Sequence, residues 1–189
     1  MVKLLVKKSL SGLAILMMVL GLLAAPLQRA QAAGPFTVNT VADTHDASIN
    51  GTCADSGGLC SLRAAIEEAN AATTPTTITL PAGTYNLSLG ELSVAPDGNR
   101  TLTLNGAGAA STLIHQTDGT NRVFNIDFYS IGGTTVTINA VTISGGTDRN
   151  DALGGAGILA GSVWSTPRDS LNLTNCVVTD NHVFQPASA

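Results

Sequence analysis

Two stretches of this chain, 35 residues apart, lie over one another position by position. Thr-Val-Thr-Ile-Asn-Ala-Val-Thr-Ile-Ser-Gly-Gly (135–146) matches Ser-Leu-Asn-Leu-Thr-Asn-Cys-Val-Val-Thr-Asp-Asn (170–181). Each reads as a strand, a bend carrying Asn, and a second strand that ends in polar turn residues. Thr77-Ile78-Thr79-Leu80 and Thr101-Leu102-Thr103-Leu104 repeat the first strand. Their central residues Ile78, Leu102, Val136 and Leu171 are separated by steps of 24, 34 and 35. A period of about 20–50 residues belongs to stacked repeats. Gly154-Gly155-Ala156-Gly157-Ile158-Leu159-Ala160 supplies a third strand between the two best copies. Three strands per repeat close one coil of a parallel β-helix, and coils stack about 4.8 Å apart. The sequence therefore predicts an all-β parallel solenoid. Threonine suits its strands by β-branching, and Asn suits its bends because it tolerates left-handed backbone. An antiparallel β-sandwich also explains the strands but not the self-similarity.

The start of the chain has a different texture. Lys3, Lys7 and Lys8 precede an apolar run from Leu10 to Leu27, followed by Ala30-Gln31-Ala32. A positive segment, an apolar core and a small-x-small site read as a secretory signal over 1–32. The 18-residue run is at the lower limit for a membrane anchor; the cleavage site and the polar sequence after it favour removal. After Ala32 there is no lysine, and five arginines against thirteen acids leave a net charge of −8. Nucleic-acid binding is disfavoured, since neutralising phosphates needs clustered cations, and so is attraction to anionic lipid.

Export implies an oxidising setting. Cys53 and Cys60 flank the flexible Ala-Asp-Ser-Gly-Gly-Leu loop and are the natural disulfide; Cys176 is expected as a buried free thiol. One convincing helix runs from Leu62 to about Ala71. Leu62, Ala65, Ile66 and Ala69 form its apolar stripe, Ser61 is its N-cap, and Pro75 marks its exit. Arg63, Glu67, Glu68 and Asn70 are expected to face away from the core. Phe36 to Val41 alternates like a strand.

Cys60-Ser61-Leu62-Arg63-Ala64-Ala65-Ile66, with Phe36-Thr37-Val38-Asn39-Thr40 upstream and Glu67-Glu68-Ala69-Asn70-Ala71 after it, resembles the CSLREA domain of secreted, mostly bacterial proteins. The resemblance is close over residues 35–90 and lies only in repeat style beyond. It implies a right-handed parallel β-helix of the pectin-lyase-like class behind an N-terminal cap, here divided as signal 1–32, cap 33–75 and a short β-helix 76–189 that is incomplete at its C-terminal end or pairs end-to-end. The chain departs from the family pattern at Ala64, where the family has Glu. That Glu would complete a capping box with Ser61.

The pectin-lyase-like fold hosts polysaccharide lyases and glycosidases, but fold alone does not establish chemistry. Glycoside hydrolysis needs two carboxylates facing one bond, and no Asp-Asp or Gly-His-Gly element occurs. The acidic cluster most open to function is Asp148-Arg149-Asn150-Asp151, read as a solvated loop with Asp148 and Asp151 as a weak Ca²⁺ candidate. His115, His182, Glu67 and Glu68 read as turn or surface residues, and Trp164 and Tyr129 as packing. No catalytic residue and no cofactor beyond that calcium is assigned. The expectation is a secreted or cell-surface β-solenoid with a structural, adhesive or glycan-contacting role, meeting extracellular polysaccharide or cell-envelope components. The alternative is a carbohydrate-active enzyme, lyase or hydrolase, or its remnant.

Overall fold

The structure, a computed structural model, describes residues 34–96, 100–127, 134–148, 154–161 and 170–184. The signal segment, Asp151, Tyr129, Trp164, Arg149 and Arg168 lie outside them.

Among the described residues all strand pairing is parallel. The first sheet has the order β1 (Phe36–Thr37), β2 (Thr76–Leu80), β5 (Thr101–Gly106), β8 (Thr135–Asn139), β12 (Ser170–Thr174). The second contains β3 (Gly83–Leu87), β6 (Thr112–Gln116), β9 (Thr142–Ser144) and β13 (Val177–Thr179). The third contains β4 (Leu92–Val94), β7 (Phe124–Asp127) and β11 (Ile158–Gly161), and a short pair joins β10 (Thr147–Asp148) to β14 (His182–Val183). The chain thus visits first, second and third sheets in turn, and each return lands beside the strand laid down one circuit before. Among the described residues none of the sheets closes on itself, which leaves β12, β13 and β14 as edge strands.

Side-chain alternation explains why the strands hold. Ile78, Leu80, Leu102, Leu104, Val136 and Ile138 point inward from the first sheet and are buried. Tyr85, Leu87, Ile114 and Ile143 do so from the second, and Leu92, Val94, Phe124 and Ile126 from the third. These residues make one continuous apolar cluster that also receives Leu62, Ala65, Ile66 and Ala69 of the helix. That helix, α1 (Leu62–Ala71), packs on β2 and β4.

The two repeats register as their sequences align: Thr135 with Ser170 and Thr142 with Val177. The first step differs. Ile78 pairs with Leu104 rather than Leu102, so that step is 26 residues, not 24. A slip of two leaves every side chain on its face, so hydrophobic pattern alone does not distinguish the registers. The strand expected over 36–41 is only β1. Val38 still hands its N–H to Thr79 O at 3.0 Å, but beyond it Asn39 turns to serve the cysteine loop, its N–H bonding Cys60 O and its Oδ1 accepting from Cys60 N.

Bends are set by backbone sign. Asn175 has φ 53° and Ala140, at the equivalent position one circuit earlier, φ 57°. Beside them Asn139 donates to Asn105 Oδ1 at 3.5 Å, and Asn175 donates to Asn139 Oδ1 at 3.4 Å. Gly106 occupies the same bend one circuit before, where a Cβ would collide with Ala140 O.

Candidate functional site

Charged residues in the described structure converge on two places. The first joins the segment before α1 to the first circuit. Arg63 Nε donates to Asp43 Oδ1 at 2.7 Å and Nη2 to Oδ2 at 3.1 Å. The same guanidinium donates to Glu91 O and Gly90 O, each at 2.9 Å. Asp43 also accepts from Ser88 N and Leu89 N at 2.7 and 2.8 Å. Burial works to raise the Asp43 pKa, but Arg63 and these two N–H groups outweigh it and hold the carboxyl below its usual range. Both side chains are nearly inaccessible. Arg63 therefore does not face away from the core.

Glu68 departs from expectation in the same way and is buried. Its carboxylate accepts from Asn50 N at 2.6 Å and Gly51 N at 2.8 Å. Burial, helped by the nearby Asp46 charge, raises its pKa in spite of those donors. Glu67 accepts from Asp46 N and lies 2.6 Å from His45 Nδ1. Asp46 and Asp55 order the same loop by accepting from Ser48, Ala54, Gly57 and Leu59 N–H groups. The Cys53–Cys60 disulfide closes it. Ser61 Oγ accepts from Ala64 N at 3.0 Å and donates to Thr44 O at 2.6 Å. Ala64 itself is wholly buried.

The second place spans three circuits. Arg122, just before β7, lies between Glu91, just before β4, at 3.7 Å and Asp148 of β10 at 3.8 Å. Arg122 also donates to Gly154 O at 3.4 Å, and Asn125 donates to Glu91 Oε1 at 2.8 Å. Arg122 and Asp148 are both buried. Asp148 is thus a strand residue turned onto an arginine and not part of a solvated loop. Its suggested calcium partner Asp151 lies outside the described residues, and among the described residues no group of three or more His, Cys, Asp or Glu side chains is placed to hold a metal ion.

The remaining candidates are dispersed. His115 Nδ1 is 2.9 Å from Ser144 Oγ on the neighbouring strand. Ser144 is buried. His182 sits in edge strand β14, its ring centroid 6.5 Å from that of Phe184. Cys176 is free but only half buried, because it lies in the bend between the edge strands β12 and β13. Sequence reasoning missed the Asp43–Arg63 and Arg122–Asp148 pairs. The available signal was scarcity: with so few cations after residue 32, each arginine is in demand by several acids.

A scan against family models, a search of curated proteins and a search of solved structures each return no match. Among the described residues no helix is long and apolar enough to cross a membrane.

Proposed function

We propose that this chain is an exported, secreted or cell-surface, right-handed parallel β-helix of the CSLREA type. Its role is structural, adhesive or glycan-contacting, and it is not a catalyst. One observation carries the non-catalytic part. Most of the described carboxylates are engaged by the fold's own donors. Asp43 is held by Arg63, Glu91 and Asp148 by Arg122, and Glu68, Asp46, Asp55 and Asp118 by loop N–H groups. Hydrolysis of a glycoside needs two carboxyl groups open to one substrate bond. An Arg wedged between Glu91 and the buried Asp148 denies them that.

The sheet-by-sheet circulation, with parallel pairing among the described strands, supports the β-helix reading. The sequence at 30–32 and the oxidised Cys53–Cys60 pair support export. The test has two arms. Protein recovered from the medium of an export-competent host is expected to begin at Ala33 by intact mass and to leave pectin and related polymers uncut. Turnover that disappears in Asp148→Ala would overturn the non-catalytic reading, and recovery of the full chain in membranes would overturn export.

A further inference from the structure

The outward face of the first sheet is a lattice of hydroxyls and carboxamides. Thr77, Thr103, Thr137 and Asn172 stand in register across β2, β5, β8 and β12. Thr79, Asn105, Asn139 and Thr174 form the next column, and Thr101, Thr135 and Ser170 the one on the other side. Rows lie about 4.8 Å apart, and columns, two residues along a strand, about 6.6 Å apart. No position in the array ionises and none is aromatic. Each is exposed or half-buried, whereas the residues between them on β2, β5 and β8 are buried. Only a one-residue slip would turn the array inward, and the core forbids it. Among the described residues the hydroxyls of Thr77, Thr103 and Thr137 make no side-chain hydrogen bond to protein.

This chemistry selects its partner. Among the described residues of the face a charged ligand finds no countercharge in the array. Among them a sugar ring finds no aromatic platform to stack on. A rigid, uncharged, two-dimensional crystal of oxygens gains from every row, because the donors and acceptors are already fixed at a repeat and lose little freedom on contact. Each threonine adds a methyl group beside its hydroxyl, which fits a surface with alternating bonded oxygens and hollows. We propose that the first sheet binds the surface of ice, its threonine columns holding the first water layer near lattice positions. The inference names the partner for the adhesive role proposed above and rests on that role.

The test follows ice crystals coarsening under a microscope in frozen sucrose, with the chain as recovered from an export-competent host. The wild-type chain is expected to arrest coarsening and to facet the crystals. Thr103→Lys with Thr137→Lys, at the centre of the array, is expected to require about tenfold more protein or worse. Thr84→Lys, exposed on the second sheet, serves as control and should behave as wild type. Circular dichroism and melting confirm that all three fold alike. Coarsening indistinguishable from that with an inert protein of equal size would overturn the proposal, as would a double variant equal to wild type. Loss of binding to crystalline chitin or cellulose in the double variant, with ice growth unaffected, would assign the face to a glycan instead. Polysaccharide turnover is read separately, so a failure of the non-catalytic reading does not mimic a failure here.

Discussion

Arg63 reaches back twenty residues to Asp43 and meets it with two hydrogen bonds, at 2.7 and 3.1 Å, inside a site closed to solvent. Both partners also bind backbone of residues 88–91. The pair therefore fastens the segment before α1, the helix itself and the first circuit together. Removing one partner of a buried ion pair leaves the other uncompensated and costs about 3–5 kcal/mol. Arg63→Ala and Asp43→Ala are each expected to destabilise by about that amount in urea melts. The double variant should lose much less than the sum. Additive losses would mean that the two residues act independently.

Glu68 and Asp43 bend the pH dependence in opposite directions. Asp43 is held below its ordinary value of 3.8, so its stabilisation is complete above that value and is lost as pH falls through the lowered one. Glu68 is raised above its ordinary 4.5, so the folded chain retains a proton that the unfolded chain releases. Stability then declines as pH rises through that window. Glu68→Gln cannot titrate and is expected to remove the decline above pH 4.5, whatever its effect on overall stability. Parallel profiles for wild type and variant would rule this out.

Ala140 holds left-handed backbone at φ 57°, whereas the equivalent bend one circuit later is occupied by Asn175, a residue type that tolerates that conformation. That conformation costs an ordinary L-residue about 1–2 kcal/mol. Ala140→Asn is expected to stabilise the fold by roughly 0.5–1 kcal/mol, read as a higher urea midpoint at unchanged slope. An equal or lower midpoint would show that the bend is dictated by its neighbours.

The edge strands carry exposed apolar side chains: Leu173 at 44%, Val178 at 50% and Val183 at 52%. The equivalents one circuit earlier, Ile138 and Ile143, are buried. Amides in 170–184 are expected to exchange faster than those in 135–144, because local opening there exposes little new surface. Equal protection would mean that something covers the edge. Sedimentation at rising concentration tests whether a second copy does so.

Much of the fold was legible because two of its signals are periodic. The strands repeat Thr-x-Thr or a near relative, and 135–146 copies into 170–181 with no gap, so even the register there follows from alignment. α1 announced itself by the Leu62, Ala65, Ile66, Ala69 stripe and its Ser61 cap. Where the pattern is degenerate it misled. Leu102 and Leu104 are equally good partners for Ile78, and only the turn between them decides. A helical wheel places Arg63 and Glu68 at the surface because it shows polarity, not the loop of backbone donors and acceptors that lies over that face. Flanking glycines make Asp148 look like loop; the group that buries it, Arg122, comes from another circuit.

Stacked repeats couple mainly to their nearest neighbours and so tend to melt piece by piece. Arg122 works against that. Its guanidinium belongs to one circuit yet is shared by a carboxylate from the circuit before and another from the circuit after. Peeling away either outer layer strands a buried cation with half its compensation, which makes the partly unzipped chain expensive. The three layers that carry Glu91, Arg122 and Asp148 are thereby tied into one cooperative unit. The layer of β12 to β14 meets them through backbone ladders and side-chain amides, without an ion pair among the described residues, and is free to open alone.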